Sequence, residues 1–352
     1  IYDGAIRNWL SLSFLLSRCT TQPYADLEPR LRGVLLAAAA QIILLDRVPV
    51  HAATNHAVEW AKRVIRPGAG GLVNAVIRKL IPMRPDESVR SRPRYTGLRD
   101  ELPTATGGAI ALSEPVLPEN EIDRLSIATS HSRPMLEHWL LHRPMREVRD
   151  LALHGCAQPP IILNTAHAQS PLSPEHLTPH EASGHHAFSG HTHALINLLS
   201  QRPDIWVQDP ASSLAVERVA DLRPALILDL CAGQGTKTRQ LAATFPNAEI
   251  IATDVDGDRY RVLTETFRTH PQVRVVGNRQ IQQRFHSKAD LILLDVPCSN
   301  TGVLARRPEA RYRFGPDSLK SLLGIQKQII ADCILLRNIS PRGRILYSTC
   351  SL

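Results

Sequence analysis

Apolar positions along residues 1–80 recur with the spacing of an α-helix. The stretch "LRGVLLAAAAQIILLDRVPVHAATNHAVEWAKRV" carries this period, breaks at Val48-Pro49 and resumes through Val58 and Val64. A further short helix is predicted for "GGLVNAVIRKL", whose apolar residues share one face. The pattern predicts an all-helical domain over residues 1–80. By itself it leaves open whether the helices do more than pack.

The pattern changes twice before residue 206. Residues 81–120 are rich in Pro, Gly, Thr, Ser and Arg without periodicity, which predicts a linker or long loop. Residues 121–205 predict a small α+β domain of two helices followed by a short strand at Ile161–Leu163. The polar stretch from Gln169 to His193 carries six histidines. A solvated loop is favoured there over a metal site, because no recognisable ligand spacing accompanies them.

Residues 206–352 alternate between short apolar strands and helices. The predicted strands are "ALILDL", "AEIIATD", "VRVVGN", "ADLILLD" and "GRILYSTC", with helices between most of them, such as 236–244 and 319–338. Nearly continuous apolar strands separated by helices are typical of a parallel sheet covered on both faces. This region is therefore predicted to be a doubly wound α/β domain.

Composition limits the kind of partner and the cellular compartment that are expected for this chain. With 43% hydrophobic residues among 352, the chain has enough apolar surface for several cores, and its formal net charge of +8 favours an anionic partner such as nucleic acid. The six cysteines include no C-x-x-C pair, which argues against a zinc ribbon or a disulfide scaffold and fits reduced thiols in a cytoplasm. The longest apolar run, 34–45, is too short to span a bilayer. No metal or membrane partner is expected.

A glycine-containing turn follows the first strand of the α/β region, in "LDLCAGQGTKTRQLA". Gly233 and Gly235 open a helix there, although Thr238 stands where a dinucleotide fingerprint has its third glycine. The next strand ends at Asp254, where a carboxylate can bond ribose hydroxyls. These features together indicate a cofactor that contains adenosine, without specifying which.

Two cysteines follow the ends of later strands. Cys298 comes shortly after Asp295, and Cys350 comes directly after Thr349. In a doubly wound sheet both positions open onto the crevice that also holds the glycine turn. One such cysteine is better explained as a buried structural thiol, but two at neighbouring strand ends favour chemistry.

The motifs "DLCAGQGTKT", "DVPCSNTGVLARRPE" and "YSTCS" resemble those of the RNA 5-methylcytosine methyltransferases, the Nol/Nop/Sun group. "VQDPASSLAVERV" resembles the segment that precedes the cofactor strand in this family, and the helical region 1–80 is similar to its NusB-like RNA-binding domain. The resemblance covers nearly the whole chain and points to the bacterial small-subunit rRNA branch. It implies a C-terminal Rossmann-like methyltransferase domain that continues beyond Leu352, so the chain is expected to be incomplete there.

The resemblance also implies the cofactor, the substrate and the residues that act. S-adenosylmethionine is the implied cofactor, RNA the implied partner, and a cytoplasmic monomer the implied state. The cofactor would be held by Cys231, Ala232, Gly233, Gln234, Gly235, Thr236, Lys237, Asp254, Asn278 and Asp295. Cys350 corresponds to the nucleophile that adds to cytosine C6, Cys298 to the cysteine that helps to release the product, and Asp295 lies near the target base. The arginines implied to bind RNA phosphates are Arg306, Arg307, Arg311 and Arg313.

Departures from the family pattern leave an alternative open. Thr236 stands where the family has glycine, and Asn278 stands where it has aspartate, whereas Gly235 remains for close approach to the cofactor. A non-catalytic RNA-binding or ribosome-assembly factor with a degenerate cofactor site is therefore the second hypothesis. Methylation of a small molecule or a protein is disfavoured, because those reactions need no pair of cysteines.

Overall fold

A computed structural model describes residues 1–173, 175–338 and 343–352. The described residues divide into two compact units. The first unit comprises residues 1–159 and 300–318, and the second comprises residues 160–299 and 319–352. None of the helices in the described ranges is long and apolar enough to cross a membrane.

The first unit is built mainly from helices, as predicted for residues 1–80. Along α4, Ala53, Ala57 and Ala61 recur every four residues, so the buried face of this helix has no bulky side chains and α5 can pack closely on it. The helices are α1 (Tyr2–Arg7), α2 (Trp9–Ser17), α3 (Pro29–Leu44), α4 (Val50–Val64), α5 (Ala69–Leu80), α6 (Glu87–Arg90), α7 (Glu121–Thr129), α8 (Arg133–Leu140) and α9 (Met145–Cys156).

The prediction of an irregular linker over 81–120 is wrong. This segment contains an antiparallel sheet of β1 (Ser91–Arg92), β2 (Glu101–Pro103) and β3 (Ala109–Ala111), in the order β1-β3-β2. Its Leu102 and Leu117 are buried in the same core as the helices. The buried carboxylate of Glu101 accepts hydrogen bonds from the backbone N–H groups of Thr96 at 2.8 Å and Gly97 at 3.0 Å, which fixes the turn before β2.

The second unit contains a small antiparallel sheet of order β5-β6-β4-β7. Its strands are β4 (Ile161–Asn164), β5 (Leu177–Pro179), β6 (His185–Phe188) and β7 (Trp206–Val207), with α10 (Thr192–Gln201) before β7. Part of the histidine-rich stretch, predicted as a loop, is therefore strand β6. His185 is buried, and its Nε2 lies 3.1 Å from Ser213 Oγ. The predicted domain 121–205 is divided between the two units at residue 159.

The main sheet of the second unit is parallel, with the order β10-β9-β8-β11-β12. All the predicted strands are present, as β8 (Leu226–Asp229), β9 (Glu249–Ala252), β10 (Val273–Val275), β11 (Leu291–Asp295) and β12 (Arg344–Ser348). The helices are α11 (Pro210–Glu217), α12 (Thr236–Thr244), α13 (Gly257–Phe267), α14 (Asn278–Phe285) and α15 (Pro316–Ile334). From β8 the chain first adds strands on one side (β9, β10) and then on the other (β11, β12). The carboxyl ends of β8 and β11 therefore flank the point of reversal, which is where such sheets bind ligands. The Rossmann-like prediction is confirmed.

Candidate active site at the carboxyl ends of the parallel strands

Three aspartates lie at adjacent strand ends, and one of them pairs with a lysine. Asp229 ends β8, Asp295 ends β11, and Asp254 follows β9 after a single threonine. Lys237 lies in the first turn of α12, and its Nζ donates to Asp295 Oδ2 at 2.8 Å. Burial, followed by the neighbouring carboxylates, raises the pKa of Asp229 to about 7 even though the Thr238 hydroxyl donates to its Oδ2 at 2.7 Å. This end of the sheet therefore concentrates acidic groups.

Cys298 and Cys350 are in contact. Their Sγ atoms are 3.1 Å apart, and the pairing of β11 with β12 brings the two loops together. Cys298 is buried and Cys350 is partly buried, and neither forms a disulfide. The hydrogen bond with Cys298, followed by burial and the Asp295 charge, raises the pKa of the Cys350 thiol, against which the Lys237 charge acts. Cys350 is consequently protonated at neutral pH in this arrangement and must lose its proton to act as a nucleophile.

The turn between β8 and α12 uses its two glycines for different purposes. Gly233 has a φ of +58°, and a Cβ at this position would meet no atom within 4 Å. Its N–H donates to Asp254 Oδ2 at 2.8 Å. Gly235 has a φ of +94°, and a Cβ there would collide with the Phe267 ring of α13. The position that leaves room for a ligand is thus Gly233, whereas Gly235 permits the turn to pack against α13.

Two family models match separate parts of the chain. Residues 220–352 match the family described as 16S rRNA methyltransferase RsmB/F, and residues 1–82 match the NusB family. The C-terminal part of the chain is thus similar to the RsmB/F family, and the N-terminal part is similar to the NusB family.

Curated relatives match this chain over nearly its whole length. The Ribosomal RNA small subunit methyltransferase B of Xanthomonas campestris pv. campestris is 26% identical over 373 residues, covering 100% of this chain and 72% of the relative. The protein of the same name from Vibrio cholerae is 28% identical over 354 residues, covering 99% of this chain and 76% of the relative. The solved structure of PH0851 has a TM-score of 0.77 at 20% identity, covering 100% of this chain and 76% of that protein, a likeness of fold.

The part of the chain that matches the RsmB/F model has polar atoms that fit an adenosine-containing cofactor. Within the described ranges, Asp229 Oδ1 and Thr253 Oγ1 are buried without a hydrogen-bond partner. Native structures rarely leave such atoms unpaired, so they point to a ligand with polar groups. The open space at Gly233 provides room for one close to the backbone. Both unpaired atoms lie at adjacent strand ends, and Thr253 N donates to Asp229 O at 2.9 Å.

The remaining residues of the predicted cofactor set occupy different environments. Burial, followed by the charges of Asp229 and Asp254, raises the pKa of the Cys231 thiol to about 12, so this cysteine is not a thiolate. Ala232 is buried, with its N–H donating to Thr253 O at 3.0 Å. The side chains of Gln234, Thr236 and Asn278 are exposed. Their contacts with the cofactor remain predictions.

Asp229, Thr238 and Thr253 were missed as site residues by the sequence analysis. A signal for Asp229 was available, because it is a carboxylate at the end of the first strand of a doubly wound sheet. Thr238, noted only as a departure from a glycine fingerprint, donates to Asp229 and so belongs to the same group. Thr253 carries no recognisable motif.

The arginines implied to bind RNA are in the first unit, in the segment 300–318. Arg306, Arg307 and Arg313 are exposed. The prediction for Arg311 is wrong, because this residue is fully buried. Its guanidinium donates to the backbone carbonyl oxygens of Arg7 at 3.0 Å, Thr129 at 3.2 Å and Gly155, so it stabilises the fold and cannot reach a phosphate.

Within the described ranges, no group of three or more His, Cys, Asp or Glu side chains is arranged to hold a metal ion.

Proposed function

We propose that this protein transfers a methyl group from S-adenosylmethionine to C5 of a cytosine in small-subunit rRNA, through a covalent bond between Cys350 and C6 of the base. The observation that carries the proposal is the 3.1 Å contact between Cys298 Sγ and Cys350 Sγ, beside the ion pair of Lys237 with Asp295. The RsmB/F and NusB matches and the names of the relatives support an rRNA substrate acted on in the cytoplasm.

The chemistry explains why two thiols and a carboxylate are placed together. Cytosine C5 is a weak nucleophile, and addition of a thiolate to C6 makes C5 an enamine carbon able to attack an electrophile. S-adenosylmethionine, when bound, supplies the electrophilic methyl group. Cys350 forms the bond to C6, and Asp295 hydrogen-bonds the edge of the ring as charge develops.

Product release needs a second group. After methylation the proton on C5 must leave and the bond between Cys350 and C6 must break. Cys298, in contact with Cys350, is the residue we assign to this step. The raised pKa of Cys350 means that the fraction of reactive thiolate, and with it the rate, should increase with pH through the neutral range.

The cofactor would be held by the group around the first two strand ends. Asp229 and Thr253 have buried oxygen atoms available, and Gly233 leaves space beside them. Asp254 would bond the ribose in addition to the Gly233 N–H, because a carboxylate oxygen can accept more than one hydrogen bond.

The test is transfer of a labelled methyl group from S-adenosylmethionine to a 16S rRNA transcript, with digestion to nucleosides and mass spectrometry. We expect 5-methylcytidine from the wild type and none from Cys350→Ala. Label in another nucleoside would overturn the assignment of C5. A protein that binds the transcript but shows no thermal shift with S-adenosylmethionine and transfers no methyl group would instead be the non-catalytic assembly factor.

A further inference from the structure

The segment 300–318 packs against the N-terminal helices of the first unit through specific contacts. Arg7 NH1 donates to Ala305 O at 2.8 Å, and Tyr312 Oη donates to Ile6 O at 2.5 Å. Arg311 donates back to Arg7 O at 3.0 Å. The segment is therefore held to α1 at Ala305 and again at the 3-10 turn Pro308–Tyr312.

These contacts place an exposed aromatic residue beside the segment. Trp9 is the first residue of α2, and its ring centroid lies 5.7 Å from that of Tyr312 with an interplanar angle of 45°. Tyr312 is partly buried, and its hydroxyl is held by the hydrogen bond to Ile6 O. Trp9, in contrast, is 42% exposed. The core-facing residues of α2 are Leu12, Leu15 and Leu16, so the exposed part of Trp9 is not needed to close the core.

Exposed cations flank this aromatic pair along the chain. Arg306 directly follows Ala305, the residue held by Arg7, and Arg307 comes next. Arg313 directly follows Tyr312, has a side chain that is 71% exposed, and pairs with Glu309 at 3.2 Å. Exposed arginines thus lie on either side, along the chain, of the tyrosine that contacts Trp9.

We propose that Trp9, supported by Tyr312 and flanked by Arg306, Arg307 and Arg313, is a stacking site for an unpaired base of single-stranded RNA. Proteins that bind single strands combine arginine or lysine contacts to phosphates with aromatic rings on which bases stack. The ring of Trp9 supplies the stacking face, Tyr312 restricts its orientation, and the arginines supply the phosphate contacts. This inference rests on the proposed function, and it specifies the RNA as unpaired where it meets the first unit.

The test measures the affinity of the full-length protein for three probes by fluorescence anisotropy and competition. The probes are a labelled single-stranded oligoadenylate, a double-stranded RNA of the same length, and inorganic polyphosphate, which has charge but no base. We expect Trp9→Ala to weaken binding of the single strand roughly 5- to 150-fold, the range that about 1–3 kcal/mol per stacked base corresponds to. Trp9→Phe should retain most of the affinity, and polyphosphate binding should not change.

Leu72→Ala is the matched control. Leu72 is 41% exposed on α5 of the same unit, so its loss removes a similar exposed apolar fraction without an aromatic face. It should alter affinity for the single strand by less than twofold. Thermal melting of each variant separates loss of binding from loss of folding, and Trp9→Phe keeps the test valid if Trp9→Ala melts early.

The outcomes separate this inference from the proposed function. A wild type that binds no RNA would overturn both. A wild type that binds and methylates RNA while Trp9→Ala binds equally well would overturn the stacking site alone. Equal losses for oligoadenylate and polyphosphate would also overturn it, because they would indicate a charge effect.

Discussion

The two units bury charged groups in opposite ways. The strand ends of the second unit carry Asp229, Asp254 and Asp295. Asp295 pairs with Lys237, and Asp229 Oδ1 has no partner among the described residues. In the first unit, the two terminal nitrogens of buried Arg311 donate to backbone carbonyls, and only its Nε has no partner among the described residues. The unpaired acceptors at the strand ends lie beside the open space at Gly233, which fits a ligand, whereas the two terminal nitrogens of Arg311 donate to carbonyls from three separate parts of the chain and so hold those parts together.

The environment of His131 extends this contrast. Burial, followed by the charge of Arg311, lowers the pKa of His131 well below its usual value, so the imidazole is neutral at physiological pH. Its Nδ1 lies 2.9 Å from Thr129 O, the same carbonyl that Arg311 contacts. In this region of the first unit, therefore, Arg311 carries a charge and the neighbouring His131 does not. At the strand ends, several charges are kept close together.

The largest expected effect distinguishes the two thiols at the strand ends. Cys350→Ala should abolish methyl transfer, a loss of more than about 10³-fold if nucleophilic addition is required. Cys298→Ala should still permit addition and methylation but slow release, so that a protein–RNA adduct accumulates and survives denaturing gel electrophoresis. Buried Cys333 offers a control, because Cys333→Ala should produce no adduct.

Two results would contradict this assignment. Adducts from Cys350→Ala but not from Cys298→Ala would reverse the two roles. An active enzyme in which neither variant forms an adduct would refute the mechanism with two cysteines. If the role of Cys298 is structural, its replacement should lower stability or leave turnover unchanged, with no trapped complex.

The next largest effect is the pH dependence that Asp229 gives to the free energy of unfolding. Because the pKa of Asp229 is raised to about 7, the folded protein retains a proton that the unfolded chain loses near pH 4. Stability should therefore fall as pH rises from about 4 to 7, by on the order of 4 kcal/mol from this group, and change little above that range. Asp229→Asn should remove this part of the dependence in urea unfolding without added cofactor.

A matched variant isolates the contribution of Asp229. Asp258 is exposed at the start of α13, so Asp258→Asn should leave the pH dependence close to that of the wild type. Parallel curves for Asp229→Asn and the wild type would show that Asp229 ionises normally. That result would remove one of the features that distinguish the strand ends from the first unit.

A third comparison uses two buried arginines of the first unit. Arg311→Met and Arg90→Met should each lower stability by about 3 kcal/mol, because each leaves buried carbonyl oxygens without donors. Only Arg311→Met should also weaken RNA binding, since it releases the segment that carries Arg306 and Arg313. Equal RNA affinities for the two variants at matched stability would show that docking of the segment does not matter for binding.

Features set by residues close together in the sequence could be predicted, whereas most contacts between residues far apart in the sequence could not. The parallel strands were predicted correctly because burial on both faces makes each a continuous apolar run. The meeting of Cys298 with Cys350 followed from one topological rule. The strands in 81–120 were missed because two or three residues are too few to show a period. The role of Arg311 depends on carbonyls at residues 7, 129 and 155, which no local pattern connects.

The smallest expected effect tests whether Asp254 has one role or two. In the structure its Oδ2 accepts from Gly233 N and its Oδ1 accepts from Asp256 N at 2.9 Å, so the side chain already fixes the glycine turn. Asp254→Ala should weaken binding of S-adenosylmethionine by about 2 kcal/mol in calorimetry, as expected when a hydrogen-bond partner is removed. Asp254→Asn can still accept from one N–H group, so it should retain more affinity if the main role is to hold the turn. If both variants lose affinity equally, the carboxylate itself is required, which favours direct contact with the ribose. Unchanged affinity in both would place the ribose elsewhere and leave the three aspartates as a structural feature of the strand ends.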